Sequence, residues 1–173
     1  MISLRTPYLL VGFLLLCFSC TKQQVHKNIL VFSKTEGFRH ASIEAGQEAL
    51  KKMAQEKGFD VSFTEDATQF TENNLKKYNT IVFLNTTGDI LNDEQQVSFE
   101  RYIQAGGGYV GIHSATDTEY DWPWYGALAG AYFLDHPSDP SNVQKGKFMV
   151  TETNWATEGM PKEFERTDEF YSY

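Results

Sequence analysis

Short apolar runs alternate along this chain with amphipathic stretches of helical period, which predicts strands and helices in turn. Asn28-Ile29-Leu30-Val31-Phe32 and Thr80-Ile81-Val82-Phe83-Leu84 are continuous and rich in β-branched residues, the mark of strands covered on both faces. Between them, Asp60-Val61-Ser62-Phe63-Thr64 alternates through Val61 and Phe63 and predicts another strand. Ser42 is the expected N-cap of a helix reaching Lys57, with Ile43, Gly46, Leu50 and Met53 on one face and Gly58 as its stop. Thr71 can cap a short helix through Lys77. Asn92 and Gln95 form a capping box for a helix whose Phe99, Tyr102, Ile103 and Gly106 share a face.

That helix ends at Ala105, and the chain continues as Gly106-Gly107-Gly108-Tyr109-Val110-Gly111-Ile112-His113-Ser114-Ala115. The pattern predicts a buried strand running into a sharp turn with His113 at its tip, the place where many α/β enzymes mount a nucleophile. The motif is not Gly-x-Ser-x-Gly: Ser114 lies one place past the tip and Ala115 replaces the last glycine. Repeated strand–helix alternation implies an α/β fold with a parallel sheet, helices on both faces and right-handed crossovers. Ligands of such sheets sit beyond the carboxyl ends of the strands, which directs attention to residues 33–41, 85–92 and 113–121. The tail is less regular. Residues 147–151 suggest an edge strand, residues 155–164 a loop with a short helix, and the closing Phe170-Tyr171-Ser172-Tyr173 requires a cover for its aromatic rings.

The N-terminus changes the picture. Arg5, an apolar run over residues 8–16 and Cys17-Phe18-Ser19-Cys20 read as a secretory signal, too short for a comfortable membrane span. The segment resembles a bacterial lipoprotein signal. Residues 1–19 would be removed, Cys20 acylated, and residues 20–27 would form a tether, placing the protein in the bacterial cell envelope, facing the periplasm or the exterior. Both cysteines of the chain are then spent, so the folded part has no thiol. A disulfide framework, a zinc–thiolate site and a cysteine nucleophile are excluded. A net charge of −8 argues against nucleic acid as a partner.

The loops also carry a recognisable set. Lys34-Thr35-Glu36-Gly37-Phe38-Arg39-His40-Ala41-Ser42-Ile43, the segment 106–117, Asp121-Trp122-Pro123-Trp124-Tyr125, Phe133-Leu134-Asp135-His136-Pro137 and Arg166-Thr167-Asp168-Glu169 together resemble the ThuA-like family, named for trehalose utilisation. The resemblance spans residues 28–173. It implies a flavodoxin-like three-layer sandwich of the class I glutamine amidotransferase-like type, with a mostly parallel sheet. It also implies a part in the catabolism of disaccharides or keto-glycosides, as a hydrolase or lyase if catalytic. Family domains continue beyond the point where this chain stops, so the resemblance implies a C-terminally incomplete domain. With no thiol at position 113, glutamine amidotransfer is excluded.

On the expected sheet, His40 follows the first strand, His113 the fourth, and His136 lies in a later loop on the same rim. Converging imidazoles suit an acid/base site or a divalent metal. His113 is the candidate general acid/base, with His40 and His136 as partners or ligands and Asp117 tuning them. For a small carbohydrate ligand, Glu36, Arg39, Ser114 and Asp121 are candidate polar contacts. Asn85 and Thr86 could bind a hydroxyl or keto oxygen, and Trp122 and Trp124 offer faces on which a sugar ring stacks. Alternatively, Arg39 pairs with a neighbouring acid and the tryptophans pack on the core. A non-catalytic carbohydrate-binding or scaffold protein is the competing class.

Overall fold

The structure, a computed structural model, describes residues 27–173. The expected signal segment 1–19, the expected acylation site Cys20 and nearly all of the expected tether 20–27 lie outside the described residues. No helix among the described residues is long and apolar enough to cross a membrane.

Strands β1 (Asn28–Phe32), β2 (Asp60–Thr64), β3 (Thr80–Leu84) and β4 (Gly108–Ile112) form a parallel sheet in the order β2-β1-β3-β4. Helix α1 (Ser42–Lys57) connects β1 to β2, α2 (Glu72–Leu75) lies between β2 and β3, and α3 (Asp93–Gln104) connects β3 to β4. The apolar runs of β1 and β3 are central because side chains on both of their faces find cover. Leu30, Phe32, Ile81 and Phe83 meet Phe70, Leu75 and Phe99 on one side. Val31, Val82 and Leu84 meet Leu50 of α1 on the other. Burial of each such side chain stabilises by roughly 1.5–3 kcal/mol, and the first cluster is stitched by ring contacts such as Phe83 on Phe99, 5.3 Å between centroids.

The caps decide where elements start and stop. Gly58 ends α1 at φ 72° with its N–H on the Ala54 carbonyl, and Asn92 with Gln95 forms the expected capping box of α3. Thr71 accepts from the Asn74 N–H at the start of α2, which ends at Leu75 rather than Lys77. Ser42 is not a cap: Ala41 holds that position, and the Ser42 hydroxyl accepts from the Asn85 side-chain amide at 3.3 Å. Met53 is exposed, and Ala54 supplies the buried contact near the end of α1.

Three further elements differ from expectation. β4 is the edge strand of the described sheet, and Val110 is 45% exposed rather than buried. Helix α4 (Pro123–Ala129) forms where the sequence suggested only an aromatic loop, because Pro123 occupies its first turn and Gly130 closes it at φ 92°. The tail holds no short helix. β5 (Val143–Met149) pairs antiparallel with β6 (Glu163–Glu169) in a hairpin separate from the main sheet. β6 carries acids at Glu163, Glu165, Asp168 and Glu169 and only Phe164 as an apolar residue, so its period was hidden. The closing aromatic residues are partly covered, since Ser172 bridges Asp135 and Tyr171 packs on Phe133 with ring centroids 4.2 Å apart.

Candidate active site

The loop after β3 is the plank on which the other rim loops lie. Thr35 of the β1 loop bridges Thr87, and the Glu36 N–H donates to the Thr87 carbonyl at 2.8 Å. On the other side Gly88 bridges Thr118, with its N–H on the Asp117 carbonyl at 2.8 Å. Gly88 sits at φ 78°, and a Cβ there would meet the Gly37 nitrogen at 3.0 Å, so this close crossing requires glycine. The crossing brings the loop bearing His40 beside the turn bearing His113.

At that turn β4 breaks into a 3-10 turn over His113–Thr116, and His113 takes φ 52°. The left-handed conformation of a non-glycine residue costs on the order of 1–3 kcal/mol and marks a place where geometry is imposed. His40 and His113 meet edge to face, with centroids 4.6 Å apart.

A carboxylate lies between the histidines. Glu169 Oε2, at the end of β6, is 3.1 Å from His113 Nε2 and 3.7 Å from His40 Nε2, while Oε1 is 3.5 Å from His136 Nε2. Asn142 Nδ2 donates to Oε1 at 2.6 Å. The Tyr171 hydroxyl is 3.2 Å from His113 Nε2 and its ring lies 4.7 Å from the imidazole. Ser114 Oγ is 3.3 Å from His40 Nδ1. The hairpin is held against the histidine loops by backbone bonds: Phe133 N–H to the Thr116 carbonyl, Leu134 N–H to that of Ser172, and Ser172 N–H to that of Asp135.

The electrostatics follow from burial and charge. Burial lowers the His40 pKa below its ordinary value, the neighbouring His113 lowers it further, and Glu169 only partly opposes them. For Glu169, burial pushes the pKa up, but the Asn142 hydrogen bond and the charges of His136, His113 and His40 outweigh it and leave the pKa low. Burial, then the nearby Glu169 and Asp117 charges, push the Tyr171 phenol up. The site therefore combines a carboxylate held ionised with a neutral imidazole, His40. One atom from each of His40, His113 and Glu169 also lies within 4.8 Å of the others, close enough to hold one metal ion.

Two cavities meet at Glu169. One, of about 290 Å³, is bounded by His113, Phe148, Phe164, Arg166 and Tyr171. The other, of about 140 Å³, is bounded by Phe38, His40, Asp117, Phe133 and His136. A larger hollow of about 440 Å³ opens between α2 and α3 at the opposite end of the sheet, around the Arg101–Glu72 ion pair, and contains no histidine.

The structure thus brings together His40, His113, His136, Ser114 and Asp117. Other sequence candidates are occupied elsewhere. Glu36 pairs with Lys34 at 2.9 Å, and Arg39 pairs with Glu44 and Glu65 at 2.9 and 3.0 Å. The Thr86 hydroxyl bonds Thr118 at 2.9 Å, and the buried Asn85 amide reaches Ser42. Asp121 is exposed and lines neither histidine cavity. Trp122 and Trp124 stack on each other at 5.0 Å and pack on Phe99, with Tyr125 fully buried beside them. Sequence reasoning missed Glu169, Asn142 and Tyr171 as site residues. The available signal for Glu169 was its place in the Arg166-Thr167-Asp168-Glu169 motif, next to an aromatic cluster.

A β2-β1-β3-β4 parallel sheet flanked by helices, with a strained histidine where the fourth strand ends, defines a flavodoxin-like α/β protein of the class I glutamine amidotransferase-like type. Within that class the chain belongs to the ThuA family, described as trehalose utilisation, whose sequence model matches residues 28–173. It is similar in structure to a ThuA-like protein from Bacteroides uniformis ATCC 8492, at 25% identity and a TM-score of 0.70, over 84% of this chain and 60% of that one. A ThuA-like protein from Parabacteroides merdae ATCC 43184 shares the fold at 18% identity and a TM-score of 0.64, over 84% of this chain and 62% of that one. The chain therefore spans about 60% of the length of these solved structures. No curated protein matches it in sequence.

Proposed function

We propose that this ThuA-family protein acts in carbohydrate catabolism on a disaccharide or keto-glycoside, with chemistry at the His113–Glu169 centre. The observation that carries the reading is a single carboxylate shared by imidazoles from three separate loops, at the junction of two aromatic-walled cavities. His113 is the general acid/base. Glu169 orients it, and His40, backed by Ser114, is the partner that accepts or returns the proton. His136 and Asp117 border the smaller cavity and contact the sugar hydroxyls. Phe38, Phe133 and Tyr171 supply apolar ring faces to a sugar. The acylation of Cys20 and export to the bacterial envelope belong to the same proposal, supported by the apolar run that ends at Ser19-Cys20.

Binding is tested by ligand-observed NMR of the purified protein with disaccharides and their keto derivatives, and turnover by product analysis. His113→Asn and Glu169→Gln should abolish turnover, with binding weakened less. Binding that survives in both variants, with no turnover by the parent on any glycoside, would make this a carbohydrate-binding protein instead. Incorporation of labelled palmitate, lost in Cys20→Ser, tests the anchor.

A further inference from the structure

We propose that His40 Nε2, His113 Nε2 and Glu169 Oε2 form a binding site for one first-row divalent cation of the zinc class.

The spacing is the first argument. Ligands about 2.0–2.1 Å from a tetrahedral metal lie about 3.3 Å from one another. Glu169 Oε2 is 3.1 Å from His113 Nε2 and 3.7 Å from His40 Nε2, on either side of that edge length. One ligand atom from each of the three residues falls within 4.8 Å of the other two.

Hydrogen bonding holds His40 firmly at one edge only. Its Nε2 faces the carboxylate at 3.7 Å, beyond the reach of an N–H···O bond. Its other nitrogen has a partner, since Nδ1 lies 3.3 Å from the buried Ser114 hydroxyl. If Nδ1–H donates to Ser114, the lone pair of Nε2 faces a carboxylate oxygen, an arrangement that is repulsive until a cation stands between them. A histidine whose far nitrogen is tied in this way is a prepared metal ligand.

The carboxylate is oriented by the same logic. Asn142 and His136 engage only Oε1, at 2.6 and 3.5 Å, and so turn Oε2 toward the two imidazoles. Tyr171 places its hydroxyl 3.2 Å from His113 Nε2, beside the cluster. Three protein donors leave a coordination position for water or a sugar oxygen, and the cavities that meet at Glu169 give access to it. Nitrogen and oxygen donors without sulfur suit zinc, cobalt, nickel or ferrous iron better than magnesium or calcium.

The test is cobalt(II) titration of the untagged protein, followed by the visible d–d absorption of a four- or five-coordinate ion, with zinc stoichiometry measured after gel filtration. One cobalt or zinc per chain is expected, lost in His40→Ala and Glu169→Gln, and weakened roughly 10–100-fold in Asn142→Ala, which leaves the ligands in place. Circular dichroism and thermal midpoints confirm that the variants fold. Substoichiometric metal in the parent protein, or uptake by His40→Ala and Glu169→Gln equal to the parent's, would overturn the site. Ligation would occupy the same His40 and His113 nitrogens that face Glu169 Oε2, so it would replace the acid/base roles given to these rings above. The two readings separate experimentally: glycoside turnover that persists in protein freed of metal with EDTA keeps the acid/base roles and overturns the metal site, whereas stoichiometric cobalt uptake with turnover only in the metal-loaded protein keeps the site and removes those roles.

Discussion

Glu169 Oε2 lies 3.1 Å from His113 Nε2 although the two residues are 56 positions apart, one at the end of β6 and the other in the turn that follows β4. The contact couples the hairpin to the main sheet through charge, so its removal should be felt at the neighbouring ring. His40 is held below an ordinary histidine pKa by burial first and His113 second, with Glu169 pulling the other way. Glu169→Gln should therefore lower the His40 pKa further. NMR titration of the His40 ring resonances in both proteins measures this, and an unchanged or raised value in the variant would contradict it.

Stability should fall in mild acid. His40 binds its proton less readily folded than unfolded, so between its folded pKa and the ordinary histidine value of 6.5 the unfolded state holds more protons. Stability therefore rises with pH through that window and levels off above it. Glu169 adds to the same slope lower down: its folded pKa lies below 4.5, and its contribution is lost as pH falls through that folded value. Urea unfolding at about pH 5 and about pH 7 should show a steeper loss for the parent than for His40→Asn.

His113 pays a backbone cost for its position at φ 52°. Glycine adopts that conformation freely, whereas alanine keeps the strain and also lacks the ring. His113→Gly should thus be more stable than His113→Ala by about 1 kcal/mol, read from denaturant midpoints. Equal midpoints would mean that the turn relaxes once the imidazole is gone.

Glu119 is buried, and its Oε1 accepts from the Ile90 and Leu91 N–H groups at 2.8 and 2.7 Å while Oε2 takes the Gln96 amide at 2.6 Å. It is a latch for the β3 loop rather than a chemical group. Glu119→Ala strands two buried donors and should cost roughly 2–4 kcal/mol. Glu119→Gln keeps an acceptor for both and should cost less. Thermal unfolding of the pair gives the comparison.

Aromatic residues divide by position. Phe38 is 71% exposed beside His40, whereas Trp124 packs on Phe99 away from both histidine cavities. Phe38→Ala should weaken glycoside binding with little change in thermal midpoint. Trp124→Ala should lower the midpoint and spare the affinity of the folded protein. The opposite pattern would return Trp124 to the binding surface.

The sequence displayed the sheet plainly because the strands that build it are uninterrupted apolar runs and their helices carry explicit stop and cap residues. β4 misled only in burial: Tyr109 and Val110 alternate across a strand that has a neighbour on one side alone. The histidines were legible as a rim cluster since each follows a recognisable turn. Glu169 was not. An acid ending an acid-rich strand looks like a solvated residue, and only the docking of Tyr171 and Ser172 onto the loop around Phe133 and Asp135 shows that it turns inward. Trp122 and Trp124 illustrate the converse, since pattern alone cannot tell a stacking platform from a core wall.

The placement of Glu169 on β6 also sets a schedule. A ribosome finishes His113 before it reaches Glu169, and at 5–20 residues per second the 56 intervening positions take roughly 3–11 s. Every strand of the four-stranded sheet and His40, His113 and His136 all precede the acid in the chain, so the centre proposed above is complete only once the last hairpin has docked.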